Sequence, residues 1–130
     1  MGRLLGVDPG EVRIGLALSD PTETIATPLD VLLHVSRGMD VEAILKLAAE
    51  RSVQAIIVGV AYDGEGHVGA QARRALRLVE ALRKKATIPV LTWDESGSTA
   101  AAHRTGGKRA YVDSRAAATI LQDYMDSLHG

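Results

Sequence analysis

The stretch VQAIIVGV, residues 53–60, constrains the fold of this chain most. It is short, apolar throughout and rich in β-branched side chains, and it lacks the polar alternation of a strand with one wet face. Such a run reads as a strand covered on both faces, the usual state of a parallel strand between helical layers. Helical patterns flank it on either side. MDVEAILKLAAER (39–51) puts Val41, Ile44, Leu45 and Ala48 on one face, with Asp40 as its expected N-cap. A Gly-rich loop, AYDGEGHVG (61–69), leads into a longer helix from about Ala70 to Lys85, with Ala75, Leu78, Val79 and Leu82 aligned.

Upstream, RLLGV (3–7) and IGLALS (14–19) read as two antiparallel strands joined by the turn DPGEVR. A third strand is expected near residues 25–33, where Pro28 confines it to an edge. IPVLTW (88–93) supplies the last strand, and Asp113 opens a final helix, SRAAATILQDYMDSL, with Ala117, Ile120, Leu121 and Tyr124 at helical spacing. The order predicts an α/β fold, a mixed five-stranded sheet with flanking helices, as one domain over residues 1–130. Strands reached through helical crossovers run parallel to the first, so three strands finish at one edge, where open α/β sheets bind ligands.

Three acidic positions fall at or near that edge. Asp8 ends the first strand, Asp94 and Glu95 follow the last, and Asp113 precedes the final helix. Each has an ordinary explanation alone: a turn acid, a cap, another cap. Together they converge, and clustered carboxylates repel unless a cation neutralises them. The chain has no Cys, which excludes disulfides and thiolate metal sites. Oxygen ligands suit hard divalent cations, so Mg²⁺ or Mn²⁺ is the expected cofactor, and such ions serve phosphodiester chemistry. Asp8 is thus read as a metal ligand.

Net charge is −1, with 24% charged residues, so the chain as a whole is no nucleic-acid polycation. Its cations are nevertheless grouped: Arg73, Arg74, Arg77, Arg83, Lys84 and Lys85 in one helix, and Arg104, Lys108, Arg109 and Arg115 in a second region. Such groups are either solvated surface or a phosphate-binding footprint. His67 and His103 flank the acidic edge, Tyr62 stands in a loop where it can stack on an unpaired base, and Trp93 reads as core packing. The segment around Gly97 and Gly106-Gly107 is expected to be a mobile connection. No run approaches the roughly 18 apolar residues of a membrane span. The N-terminus lacks signal-peptide features, so a cytoplasmic location and no membrane partner are expected.

GVDPGEVRIGLALSDP, VGVAYDGEGHVGAQAR, the WDES run and VDSRAAATILQDYMD resemble the YqgF (RuvX) family in order and spacing over nearly the whole chain. The resemblance implies a ribonuclease-H-like fold and a metal-dependent nuclease. The implied role is 5′-end processing of pre-16S rRNA, resolution of branched DNA at Holliday junctions, or both. It implies catalytic roles for Asp8, Glu95 and Asp113, with Asp94 as an alternate metal ligand. Arg13 matches the family's basic residue after the first turn. The expected nucleic-acid contacts are Arg13, Arg73, Arg74, Arg104, Lys108 and Arg109. Structured RNA and branched DNA are the implied partners, and junction cleavage would suit a homodimer. The chain departs from the family at Ser96, where an Arg is usual, and at Ala61, where a Pro is usual. Two other readings stand beside this one: a non-catalytic RNA or ribosome-assembly module, and an actin/hexokinase-type phosphate-binding ATPase, which normally needs two such domains.

Overall fold

The structure, a computed structural model, describes residues 2–95 and 114–129. Its elements run β1 (Arg3–Pro9), β2 (Arg13–Ser19), β3 (Ala26–Leu33), α1 (Arg37–Glu50), β4 (Val53–Val60), α2 (Ala70–Lys85), β5 (Val90–Asp94) and α3 (Ser114–His129). One five-stranded sheet has the order β3-β2-β1-β4-β5. β1 pairs antiparallel with β2 and parallel with β4, and β4 pairs parallel with β5. β1, β4 and β5 therefore end at one edge. β3 is an outer strand, as Pro28 requires, and its register against β2 shifts between Leu16 and Ala17.

Side-chain alternation divides the core in two. Leu5, Val7, Leu16, Ile56 and Val58 pack with Val41 and Ile44 of α1 and with Ala75, Leu78 and Leu82 of α2. Leu4, Ala17 and Ile57 face the other way, onto Ala117, Leu121 and Met125 of α3, with Trp93 and Tyr124 beside them. Trp93 and Tyr124 meet edge to face at 5.9 Å.

α3 lies close to the sheet because Gly6 and Gly59 have no side chain. A Cβ on Gly6 would come within 2.8 Å of Leu121 Cβ and 3.0 Å of the Ala117 carbonyl. The helix runs back along β1. The backbone N–H of Ala26 and the Thr24 carbonyl bond the Gln122 side chain, and His129 reaches the Glu23 carbonyl.

The N-cap of α1 is not Asp40. Ser36 holds that place, accepting from the Met39 N–H at 3.2 Å, and the helix begins two residues earlier than its apolar pattern suggests. Asp40 lies inside the first turn, buried, where it binds the His34 ring and accepts from the Val35 N–H. A tertiary contact with the β3–α1 connection took the carboxylate that local propensity assigned to the cap.

Candidate active site

The apolar register of β1 carries Asp8 inward. Two residues beyond Gly6, it shares the face that meets α3, and its side chain is fully buried. Its partner across β1–β2 is Gly15. On the other side Val7 is level with Val58, so Gly59 is the next residue of β4. On the Gly59 side, the space that a β-branched side chain would fill is taken by Ile120 and Glu95.

Glu95 reaches the same place from β5. Its backbone N–H donates to the Val60 carbonyl at 3.1 Å, which extends the β4–β5 ladder by one residue. Its side chain is only 1% exposed. A Cβ on Gly59 would lie 2.6 Å from Glu95 Oε2 and 2.5 Å from Ile120 Cδ1, so the carboxylate crosses β4 through the gap that this glycine leaves. Asp94, by contrast, is exposed at the end of β5. Glu95 also lines a narrow recess with Pro9, Gly59, Ala61, Gln71 and Ala75.

The third acid, Asp113, lies outside the described residues, as do Arg104, Lys108, Arg109, Ser96, His103 and the whole 97–110 segment. α3 starts at the residue that follows Asp113 in sequence. Ser114 stands three helical residues before Ala117, about 4.5 Å at a rise of about 1.5 Å per residue, and Asp8 stands two strand residues beyond Gly6, about 6.6 Å at about 3.3 Å each. The helix therefore begins at about the level of Asp8, with the positive end of its dipole toward the acids.

Arg13 opens β2 at this same edge, and alternation with Gly15 and Ala17 places it on the face that carries Asp8. Arg73 and Arg74 do not join it: they stand in the first turns of α2, on the opposite face. Tyr62 is half-buried and packs against the α1/α2 core, so its loop does not hold it out as a free stacking platform. His67 is exposed and faces its own loop, with Asp63 Oδ2 at 3.8 Å and Glu65 Oε1 at 3.6 Å.

Among the described residues no three His, Asp or Glu side chains are grouped as a cation site. The donors present are two buried carboxylates beside Gly59, with no cysteine thiolate in the chain, and this chemistry fits a hard divalent ion. What sequence reasoning missed is Gly59. An isolated glycine inside a β-branched strand signals close approach, and that signal was available.

A mixed five-stranded sheet with two crossover helices on one face, one helix on the other, and buried acids at the shared strand ends defines a ribonuclease-H-like domain. Among solved structures, that of T. thermophilus RuvC in complex with a Holliday junction substrate has the same fold, with a TM-score of 0.62 at 17% identity, covering 100% of this chain and 97% of that one. The chain belongs to the RuvX family, described as Holliday junction resolvase, whose model matches residues 2–127. Curated relatives provisionally named pre-16S rRNA nuclease are similar over nearly their full length. The Roseiflexus sp. protein is 39% identical (97% of this chain, 95% of the relative), and that of Desulforamulus reducens 36% (96% and 97%). No described helix is long and apolar enough to cross a membrane.

Proposed function

We propose that this protein is a metal-dependent nuclease that hydrolyses phosphodiester bonds in structured nucleic acid, with the 5′ end of pre-16S rRNA as its substrate in the cytoplasm. The observation that carries the reading is the pairing of two buried carboxylates, Asp8 and Glu95, at the shared end of parallel strands, with Gly59 clearing the space between. Burying two like charges side by side is costly unless a cation offsets them, and a bound metal ion would do so. The names of the relatives point to the same chemistry and to RNA.

In this reading Asp8, Glu95 and Asp113 hold Mg²⁺ or Mn²⁺, with Asp94 as the alternate ligand. When bound, the ions supply Lewis acidity at the phosphate and charge compensation for the leaving oxygen, leaving a 5′-phosphate and a 3′-hydroxyl. The chain contributes the rest. Gly59 gives the Glu95 carboxylate room to reach across β4 toward Asp8, and Arg13 offsets the charge of the substrate phosphate from the same face. The N-terminus of α3 adds a fixed positive dipole. Arg104, Lys108 and Arg109 extend the grip on the backbone. The family description supports a second substrate, branched DNA, for which a homodimer would place two sites on two strands.

The test is a cleavage panel of structured RNA, duplex DNA and four-way junction DNA with Mg²⁺ or Mn²⁺. Cleavage of the RNA, reduced by orders of magnitude in Asp8→Asn, is the expected result. Binding without cleavage of any substrate in either metal would assign the chain to the non-catalytic assembly modules instead.

A further inference from the structure

On the face of the sheet opposite the acids lies a cavity of about 350 Å³, in the size range of pockets that hold a nucleotide-sized ligand. It sits between the N-terminal ends of α1 and α2, under the turn that joins β1 to β2. Four arginines line it: Arg37 from α1, and Arg73, Arg74 and Arg77 from the first two turns of α2. Among the described residues none of the four is in an ion pair, and Arg73 makes one long contact, 3.4 Å, to the Val68 carbonyl. The acidic groups in its wall are Glu11, which is exposed, and Asp40, whose carboxylate is engaged by His34 and the Val35 N–H. The cavity is thus strongly cationic in a chain of net charge −1. The N-cap of α2 is Gly69, which has no side chain to occupy the first-turn N–H groups, and Ala70 of that turn lines the cavity.

The cavity also adjoins the acids. Asp8 and Pro9 are consecutive in β1 and point to opposite faces. Pro9 lines both this cavity and the recess that contains Glu95. A group held by the arginines is therefore one turn of backbone away from the carboxylates, around the Pro9-Gly10 corner.

We propose that this cavity is a phosphate subsite, in which Arg37, Arg74 and Arg77 hold a phosphate of the substrate strand next to the one that is cut, so that the strand bends over the β1–β2 turn. The chemistry recognised is a phosphate oxyanion in the fork of two or more guanidinium groups. It comes either from an internal phosphodiester or from a terminal monophosphate. The proposal deepens the nuclease reading and rests on it for the identity of the strand, but the oxyanion site itself can be tested alone.

Two measurements separate the possibilities. In the first, the arginine Nε–Hε resonances of the wild-type protein are followed by NMR as inorganic phosphate is added. Those of Arg37, Arg74 and Arg77 are expected to shift together and saturate. That of Arg83, whose guanidinium is engaged by the Val90 carbonyl at 2.6 and 2.9 Å, is expected to stay in place. In the second, a short RNA with a 5′-phosphate and the same RNA with a 5′-hydroxyl are bound to Asp8→Asn protein, with and without Arg37→Gln/Arg77→Gln. The double substitution is expected to weaken binding at least tenfold at low salt and to flatten the log-log salt slope by about 0.7 for each phosphate that the variant no longer holds. A weakening confined to the 5′-phosphorylated RNA assigns the site to a terminal monophosphate, and an equal weakening for both assigns it to an internal phosphodiester. Uniform, non-saturating shifts with unchanged RNA affinity in the double variant would overturn the subsite while leaving the nuclease reading intact. Saturating shifts in a protein that cleaves nothing would retain the oxyanion site and overturn the nuclease reading.

Discussion

At the scale of single residues, the site depends as much on what is missing at Gly59 as on the acids. Gly59→Ala forces a methyl group into Ile120 and the Glu95 carboxylate at 2.5 and 2.6 Å, so both must move. Overpacking of this kind costs about 1–3 kcal/mol, read as a lower Tm, and the displaced carboxylate should also cost cleavage activity. A variant that loses stability but keeps full cleavage would remove Glu95 from the reaction. Asp20 offers a second residue-level test. Its carboxylate accepts from the backbone N–H groups of Thr24 and Ile25, both at 2.8 Å, and from the hydroxyls of Thr22 and Thr24. These bonds, that from Ile25 first, hold its carboxyl well below the ordinary carboxylate range. A lowered folded pKa adds stability above the unfolded value, near 3.9, and that stability is lost as pH falls toward the folded one. Asp20→Asn should therefore melt earlier than wild type at pH 7, and the gap should close below about pH 4. A gap independent of pH would assign the effect to geometry alone.

At the scale of elements, the sequence located the five strands and three helices of the described residues, the strands as short apolar runs bounded by turns and the helices by the spacing of their apolar residues. Its errors fall at the ends. Asp40 stands just before Val41 and looks like a cap, whereas Ser36 does the capping across Gly38, a poor helix former that hides the first turn. Nothing local reveals that Asp40 has His34 as a partner, since that contact is made by the tertiary path of the connection. The two roles differ in energy. Ser36→Ala should cost about 1 kcal/mol, as removal of other caps does. Asp40→Ala removes a buried carboxylate and with it two contacts of the β3–α1 connection, to the His34 ring and the Val35 N–H, and should cost more. Chemical denaturation of the two variants compares them directly; equal losses would reduce Asp40 to a helix-dipole role.

At the scale of the whole molecule, the carboxylates were legible and the arginine cavity was not. Acids that terminate apolar strands stand out against their own segments, and parallel topology alone brings their ends together. Arg37 and Arg77 come from different helices, and only the packing of α1 beside α2 puts them on one cavity. The charged groups are distributed across the sheet: the buried acids and Arg13 on the α3 face, the four cavity arginines on the α1/α2 face, with Pro9 between them. This distribution predicts how Asp8→Asn behaves. The substitution keeps the shape and removes one of two buried charges at the edge, so metal-free protein should melt later than wild type. Mg²⁺ or Mn²⁺ should raise the Tm of wild type more than that of the variant, because an ion that binds only the folded state stabilises by mass action and the variant has one ligand fewer. Nucleic-acid affinity, carried in this reading by the cations and not by Asp8, should change little. Thermal melts with and without metal, beside binding isotherms for one RNA, read all three. An Asp8→Asn protein that melts earlier without metal and responds to Mn²⁺ as wild type does would make Asp8 a structural hydrogen-bonding residue and remove the metal site from this edge.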